Sequence, residues 1–282
     1  MFNPAYALAA AVIWAFSPIY YRGFLEKFDF LGFNFLRNAL ASSVLLIPAA
    51  LLQFGGGLGL GYAALSGPLT LACGDSMFLL SIRESGASVA TPVVYVYVLM
   101  IQLVGVALGQ VVPYANLLAA VLVVLGVFVL SKGAPGGKPR TRGIALAIGA
   151  GVMWTIGQEL IQASTAAGGN FVAVTFVRNG SAALALGAAL LLTGRFRRWP
   201  TGISSRDYAF IGAIIVSDLV AGSLFFVYSI STIGVALTVI LTSLSPLLTQ
   251  VASKALGKES PTPLDYLGGV LIVGAIVLAV SL

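Results

Sequence analysis

The sequence predicts an all-α polytopic membrane protein, with ten transmembrane helices in two inverted five-helix repeats that form a basket around a central cavity. Three observations lead to this prediction. The 282 residues are 59% hydrophobic and only 9% charged, whereas soluble domains carry roughly 25% charge. The cationic residues fall in every second connection between apolar stretches, and the two halves of the chain match each other in order.

Ten stretches approach the ~20 apolar residues that a helix needs to cross the ~30 Å core of a bilayer. Turn-forming sequence separates them, for example the GAPGGKP run at 133–139. Ten such helices use nearly the whole chain, so neither a soluble domain nor a cleavable signal peptide is expected. The predicted spans are 4–21, 30–52, 58–81, 86–108, 114–131, 142–163, 170–193, 208–230, 233–256 and 263–282.

The distribution of Lys and Arg predicts the orientation of these spans. The odd-numbered connections hold all but two of the fifteen cations, and the even-numbered ones hold none. Because cytoplasmic connections carry the excess of positive charge, the odd ones are predicted to be cytoplasmic and both termini to lie outside. The net charge of +6 thus reflects topology, and no nucleic-acid partner is expected. The odd connections contain Arg22, Lys27, Arg83, Lys132, Lys138, Arg140, Arg142, Arg195, Arg197, Arg198, Arg206, Lys254 and Lys258.

The predicted halves are residues 1–131 and 142–282, joined by a cytoplasmic linker at 132–141. Matched residues occur in the same order in both halves, at offsets that grow only from 140 to 148, which indicates a tandem duplication. Each half has an odd number of spans, so the second copy must be inverted, and the charge pattern reverses at every matched connection. The matches include Trp14 with Trp154, Arg37 with Arg178, Asp75 with Asp218, Gly86 with Gly234, and Gln102 with Gln250.

An inverted repeat predicts transport by alternating access, because exchanging the conformations of the two halves turns an inward-open state into an outward-open one. The site is then expected near the midplane, between the halves. Both halves lie in one chain, so a monomer can be the working unit. The chain has no histidine and one cysteine, Cys73, so no metal, cofactor or internal disulfide is expected.

Five ionisable residues fall inside the predicted spans, where such groups are costly and often functional. Asp75 and Asp218 are the deepest, and either bind a substrate amine, carry a proton, or anchor neighbouring helices through Arg37 and Arg178. The two arginines lie about two turns inside their helices, where a long side chain can reach the interface. Glu159 is interpreted either as a coupling carboxylate or as a hydrated interfacial group.

Aromatic and hydroxyl side chains inside the spans predict a cavity for a small amphiphile with an apolar body and a polar head. The walls lack the Lys or Arg that a phosphate would need, and the carboxylate rings of a cation channel. Tyr95 and Tyr97 can line one cavity only if the preceding Pro92 distorts the helix. The predicted substrate-binding residues are Trp14, Asp75, Phe78, Tyr95, Tyr97, Trp154, Gln158, Asp218, Ser243 and Ser245.

The second half ends in Leu256-Gly257-Lys258-Glu259, followed by a glycine-rich helix at 266–274. With two five-helix halves, this ending resembles the EamA repeats of the drug/metabolite transporter superfamily, although the first half has Gly109-Gln110 where the family usually has Gly-Glu. The runs at 14–18, 73–75 and 92–97 resemble the aromatic amino acid exporters of that superfamily. The resemblance implies a ten-helix basket in a bacterial inner membrane, whose central cavity is lined by spans one, three, four, six, eight and nine. It also implies export of aromatic and related hydrophobic amino acids and some drugs.

Two other functions remain open at this point. A multidrug exporter of organic cations would use a buried carboxylate, so that Asn in place of Asp75 or Asp218 should abolish cation resistance while sparing amino acid flux. An intramembrane aspartyl protease would use the same two aspartates as a dyad that shares a proton. The duplication explains both aspartates without such chemistry, and a non-enzymatic function is predicted. The expected partners are therefore a small-molecule substrate and the lipid bilayer.

Overall fold

The computed structural model describes residues 4–25, 27–52, 57–85, 87–132, 141–255 and 262–281, which fold into helices joined by short connections. Most of the predicted linker at 132–141 lies outside these residues, as do Gly86 and the run at 256–259. The helices are α1 (Ala5–Leu25), α2 (Phe30–Leu51), α3 (Gly57–Ser85), α4 (Ala87–Val94), α5 (Tyr97–Ala107), α6 (Tyr114–Lys132), α7 (Thr141–Ala166), α8 (Phe171–Leu192), α9 (Ser205–Ile215, Val216–Gly222 and Ser223–Thr242), α10 (Ser245–Ala255) and α11 (Pro263–Ser281).

Six stretches of the described residues are long and apolar enough to cross a membrane. One of them, Ser205–Thr249, has 45 residues and is more than twice as long as a bilayer crossing requires. Shorter apolar helices run over Ala5–Ser17, Tyr97–Ala107 and Tyr266–Ser281. The other five long stretches are Phe30–Leu51, Gly57–Ser85, Tyr114–Lys132, Thr141–Ala166 and Phe171–Leu192.

The segments of the predicted spans 86–108 and 233–256 that the structure describes are each interrupted. A turn at Tyr95 and Val96 separates α4 from α5, and a second turn at Ser243 and Leu244 separates α9 from α10. The first interruption follows Pro92, whose missing N–H removes a helical hydrogen bond.

Gly234 breaks the long α9 helix near its end. Its φ of 79° and ψ of 161° fall in a region that glycine alone adopts readily. The Val235 N–H that this break releases from the helix donates to Oε1 of Gln162 at 2.9 Å. The break therefore lies where the predicted spans 208–230 and 233–256 meet.

The long helices pack in pairs that join the two halves of the chain. Helix α2 packs along α8, and α6 packs along α11. Helix α3 lies between α7 and α8, while α1 contacts α9 and α10. Small residues permit these contacts, and large apolar side chains such as Ile47, Leu184 and Leu192 remain exposed on the outside. Such a surface suits a bilayer, where apolar side chains on the outside of the protein contact lipid tails.

Candidate functional site

Two π-helical segments position the buried polar side chains. Pro68–Gly74 interrupts α3 and Val216–Gly222 interrupts α9. A π-helical turn widens the backbone and shifts the direction of the residues that follow, and such turns are frequent at functional sites. Asp75 follows the first segment directly, and Asp218 lies within the second.

Arg37 on α2 joins these two segments. Its Nη2 donates to Oδ2 of Asp218 at 3.0 Å, and its Nη1 lies 3.5 Å from Oδ2 of Asp75. Its guanidinium stacks over the ring of Tyr21 at 4.7 Å, and the Tyr21 hydroxyl donates to Asp218 at 2.5 Å. Asn34, one turn earlier on α2, accepts from Arg37 and donates to the carbonyl of Leu71. One buried cation thus serves two carboxylates from opposite halves of the chain.

The two carboxylates differ in how firmly they are held. Asp218 has a short ion pair and the phenolic hydrogen bond, and its side chain is only 7% exposed. Asp75 has the longer contact to Arg37, and its side chain is 18% exposed. Its Oδ1 accepts a hydrogen bond from the indole nitrogen of Trp154 at 3.1 Å. Asp75 is therefore the more exposed of the two carboxylates and the one more weakly paired with Arg37.

Trp154 lies at the centre of an aromatic group, which we define as Phe78, Tyr95, Tyr97 and Trp154. Its ring centroid is 5.3 Å from that of Phe78 and 5.4 Å from that of Tyr97, both in edge-to-face geometry. The indole rests against Gly74, where an added Cβ would lie only 2.6 Å from the Trp154 Cδ1 atom. Glycine is therefore needed at this position for the ring to occupy it.

Tyr95 and Tyr97 contact each other, because the turn that follows Pro92 changes the direction of the chain. Their ring centroids are 5.8 Å apart. The side chains of Gln158 and Thr242 lie beside Tyr97. The Gln158 Oε1 atom is buried and has no hydrogen-bond partner among the described residues. An unpaired buried acceptor near the aromatic group is a natural position for a substrate donor.

Trp14 repeats the environment of Trp154 in the other half of the chain. Its indole rests against Gly222, where an added Cβ would lie 2.6 Å from Nε1, and its ring is 5.0 Å from that of Phe226. Its indole nitrogen donates to the backbone carbonyl of Asp218 at 3.3 Å. Sequence reasoning missed Phe226, although it follows Phe78 by the same 148 positions that separate Gly74 from Gly222.

The predicted equivalence of Asp75 and Asp218 was wrong. The two residues are 143 positions apart, whereas the equivalent glycines beside Trp154 and Trp14 are 148 apart. At the spacing of 148, Asp218 corresponds to Thr70 and Asp75 corresponds to Ser223. The contacts agree, since Arg37 binds Asp218 while Arg178 donates to the Thr70 hydroxyl at 3.2 Å.

Arg178 consequently has a different environment from Arg37. It is 4% exposed and donates to the hydroxyls of Ser66 and Thr70. The described salt bridges pair both aspartates with Arg37 and neither with Arg178, so of the two arginines only Arg37 anchors helices through these aspartates in the described contacts.

The two predicted serines are engaged in backbone contacts. Ser243 is fully buried and donates to the carbonyl of Ile240. Ser245 donates to the carbonyls of Ala11 and Thr242, which ties the start of α10 to α1. The structure does not bring either hydroxyl into hydrogen-bonding contact with the aromatic group.

The geometry argues against an aspartyl protease. In such an enzyme two carboxylates share a proton, whereas here the Arg37 guanidinium contacts both Asp75 and Asp218. Among the described residues no group of three or more Cys, Asp or Glu side chains could hold a metal ion.

Comparison with known proteins gives a consistent result. The profile of the EamA-like transporter family matches residues 2–132 and again residues 141–281. An uncharacterized transporter from Archaeoglobus fulgidus is 30% identical over 155 residues, which cover 53% of this chain and 55% of that protein. The match therefore spans only about half the length of that relative. One crystal structure shares the fold, with a TM-score of 0.80 and 17% identity over 98% of this chain and 97% of the other. The chain belongs to the EamA-like transporter family of the drug/metabolite transporter superfamily, as a multi-pass membrane transporter and not an enzyme.

Proposed function

We propose that this transporter exports aromatic and other hydrophobic amino acids from the bacterial cytoplasm, across the inner membrane and by alternating access. The observation that carries the proposal is the position of Trp154. Its ring contacts Phe78 and Tyr97, and its indole nitrogen donates a hydrogen bond to the Asp75 carboxylate. An aromatic amino acid needs these two features side by side, an aromatic wall for its ring and a carboxylate for its ammonium group.

The different contacts of the two carboxylates support this role for Asp75. Asp218 forms the shorter ion pair with Arg37 and accepts a hydrogen bond from Tyr21, so it holds the two halves together. Asp75 shares the same cation at a longer distance and is the more exposed. A substrate ammonium would take the place of the Trp154 indole or share the carboxylate with it. The unpaired Oε1 of Gln158 would accept a second hydrogen bond from the substrate.

Packing between the halves supports the ten-helix inverted repeat. The pairs α2–α8 and α6–α11 each join a helix to its own repeat counterpart, which a two-fold axis between the halves would require. The contacts α3–α7 and α1–α9 exchange under the same operation. So do the contacts of Trp154 with Phe78 and of Trp14 with Phe226. Alternating access follows from such symmetry, with the basket opening to one side at a time.

A second function, export of organic cations, is favoured by the same observation. A cation within about 6 Å of several aromatic faces is stabilised by their quadrupoles, and Asp75 would supply the counter-charge. The two functions differ in which part of the substrate is essential. A cation exporter needs only the positive charge, whereas an amino acid exporter must also accommodate the α-carboxylate.

Uptake into proteoliposomes separates the two functions. We would measure labelled phenylalanine, threonine and methyl viologen, each with and without a pH gradient. Saturable phenylalanine flux that is at least ten times faster than methyl viologen flux supports amino acid transport. Methyl viologen flux alone supports the cation exporter, and no flux of either refutes both.

The Asp75→Asn variant tests the role of the carboxylate. In the amino acid exporter it should reduce phenylalanine flux about tenfold or more, because a hydrogen bond to a charged group contributes about 1.5–3 kcal/mol. Ser223→Ala, at the position equivalent to Asp75, is the matched control and should leave the flux within about twofold. Unchanged phenylalanine flux in Asp75→Asn, together with lost methyl viologen flux, would favour the cation exporter.

A further inference from the structure

A buried carboxylate lies outside the proposed substrate site. Glu159 on α7 is five positions beyond Trp154, and only 8% of its surface is exposed. Its Oε2 accepts a hydrogen bond from Nε2 of Gln110 at 2.7 Å. Its Oε1 is buried and has no hydrogen-bond partner among the described residues. A buried carboxylate held by one neutral amide is costly when ionised, because no cation among the described residues forms an ion pair with it.

The charged groups on neighbouring helices do not supply that cation. Helix α7 packs against α3, α4, α5, α8 and α9. Within the described part of the chain, the ion pairs of these helices are formed elsewhere, and the interaction acting on Glu159 is the Gln110 hydrogen bond. Asp75 and Asp218 share Arg37, Arg178 donates to α3 hydroxyls, and Glu84 pairs with Arg142.

The pair of Glu159 and Gln110 has no equivalent pair related by the repeat, so the symmetry of the two halves does not account for it. At the spacing that relates Trp14 to Trp154, the counterpart of Glu159 is Ile19. At the spacing that relates Phe78 to Phe226, the counterpart of Gln110 is Lys258. A carboxylate that occurs in only one half of the chain is not needed for the helix packing that both halves share. This asymmetry favours a functional role.

Gln110 reaches Glu159 because the chain reverses at the end of α5. Gly109 has a φ of +75°, which ends the helix, and the Gln110 N–H donates to the carbonyl of Gly105. The same α5 helix carries Tyr97, and α7 carries both Trp154 and Glu159. The hydrogen bond therefore connects the two helices whose aromatic rings meet in the proposed site, and it does so at the end of α5 beyond those rings.

We propose that Glu159 binds the proton that drives export, and that the loss of this proton opens the passage between α5 and α7 at this end. The neutral carboxyl stays packed beside Gln110. When it releases its proton to water, the carboxylate has no counter-charge in its buried position and moves toward water, which separates the two helices. The inference deepens the proposed function, because the proton carried by Glu159 would be exchanged for the substrate held beside Trp154.

The test uses a reporter that needs no substrate. In a Cys73→Ala background, Thr155→Cys places a thiol one turn from Glu159 on the same side of α7, where Thr155 is buried. Its labelling by a membrane-impermeant maleimide is followed in proteoliposomes at mildly acidic and mildly alkaline pH. The same reporter in Glu159→Gln corrects for the pH dependence of the thiol itself. After that correction, labelling with Glu159 present should be about tenfold or more faster at the alkaline pH.

The conservative variant Glu159→Asp should keep the pH response, because it retains a carboxyl group, whereas Glu159→Gln should lose it. Equal pH responses with Glu and Gln at position 159 would overturn the proposal. An infrared carboxyl band that disappears on alkalinisation, and is missing in Glu159→Gln, gives an independent readout if the reporter variant does not fold. Absence of such a band would likewise overturn the proposal.

Transport separates this inference from the proposed substrate. Glu159→Gln keeps a neutral side chain beside Gln110, so it should lose both phenylalanine counterflow and the stimulation of phenylalanine transport by a pH gradient. If the labelling responds to pH as expected but phenylalanine is not transported, the proposed substrate is wrong and the proton site stands. If phenylalanine is transported and gradient stimulation survives in Glu159→Gln, the proton site is wrong.

Discussion

Arg37 is the side chain on which the buried polar network depends most, and its replacement gives the sharpest stability prediction. Arg37→Gln leaves the carboxylates of Asp75 and Asp218 without the cation that both contact, 3.5 Å and 3.0 Å away. Removing one partner of a buried ion pair costs about 3–5 kcal/mol, because the remaining charge is uncompensated. The lost stacking on Tyr21 adds about 0.5–2 kcal/mol.

Arg178→Gln is the matched control, at the equivalent position in the second half. Arg178 donates to the hydroxyls of Ser66 and Thr70, so its loss leaves no carboxylate without a counter-charge. Its cost should be that of hydrogen bonds to a charged group, about 1.5–3 kcal/mol. Unfolding in mixed detergent micelles, followed by circular dichroism, should therefore show Arg37→Gln to be the more destabilised by about 2 kcal/mol.

A double-mutant cycle identifies the partner that matters. Adding Asp218→Asn to Arg37→Gln should recover part of the lost stability, because it removes the charge left unpaired. The coupling between Arg37 and Asp218 should fall near the upper end of the usual range of about 0.5–3 kcal/mol, and that between Arg37 and Asp75 near the lower end. Equal costs for the two arginine variants, or a stronger coupling to Asp75, would refute the assignment of roles.

Three further substitutions test the site and its supporting backbone. Gly74→Ala should displace the Trp154 ring and reduce phenylalanine flux more than Gly222→Ala does. Either variant should cost about 1–3 kcal/mol of stability. An equal loss of flux in both would contradict the placement of the substrate beside Trp154. Trp154→Phe keeps a ring but loses the hydrogen bond to the Asp75 carboxylate, so it should raise the KM for phenylalanine about tenfold. Trp14→Phe should raise it only about twofold, because the Trp14 indole donates to a backbone carbonyl. The reverse order in transport kinetics would contradict this. Gly234→Ala forces a side chain into a strained backbone region and should cost about 1–3 kcal/mol in micelle unfolding, and a neutral result would argue against the break in α9.

Much of the architecture could be predicted because a bilayer imposes simple requirements on sequence. Helix length, the distribution of cations and the matched tryptophans are all visible in the residues themselves. The break at Gly234 also falls where the sequence separates two spans. The turns at Tyr95 and at Ser243 could not be predicted as helix ends, because the apolar pattern continues through both.

The error over the two aspartates has a structural cause. The connection after α2 runs only from Leu51 to Gly57, whereas its counterpart after α8 runs from Leu192 to Ser205. The longer connection raises the offset between matched residues to 148 before the π-helical segments begin. Asp218, at an offset of 143 from Asp75, is therefore not its equivalent. Packing decides equivalence here, since the two tryptophans rest against Gly74 and Gly222.

Individual contacts were the least predictable part of the site. Nothing in the local sequence indicates that the Tyr21 hydroxyl reaches Asp218, which is 197 positions away. The burial of Glu159 beside Gln110 depends on how α5 ends and on how α7 packs, and both are properties of the folded molecule. Residue types thus suggested which side chains matter, while their partners emerged only from the three-dimensional arrangement.

The inversion of the two halves can be measured by labelling matched connections from each side of the membrane. In a Cys73→Ala background, Lys27→Cys lies in the first connection of one half, and Ala167→Cys lies in the first connection of the other. With an impermeant maleimide on intact spheroplasts, position 167 should be labelled at once and position 27 only after the membrane is permeabilised. Labelling of both positions from the same side would contradict the inverted repeat, and with it the proposed mechanism of alternating access.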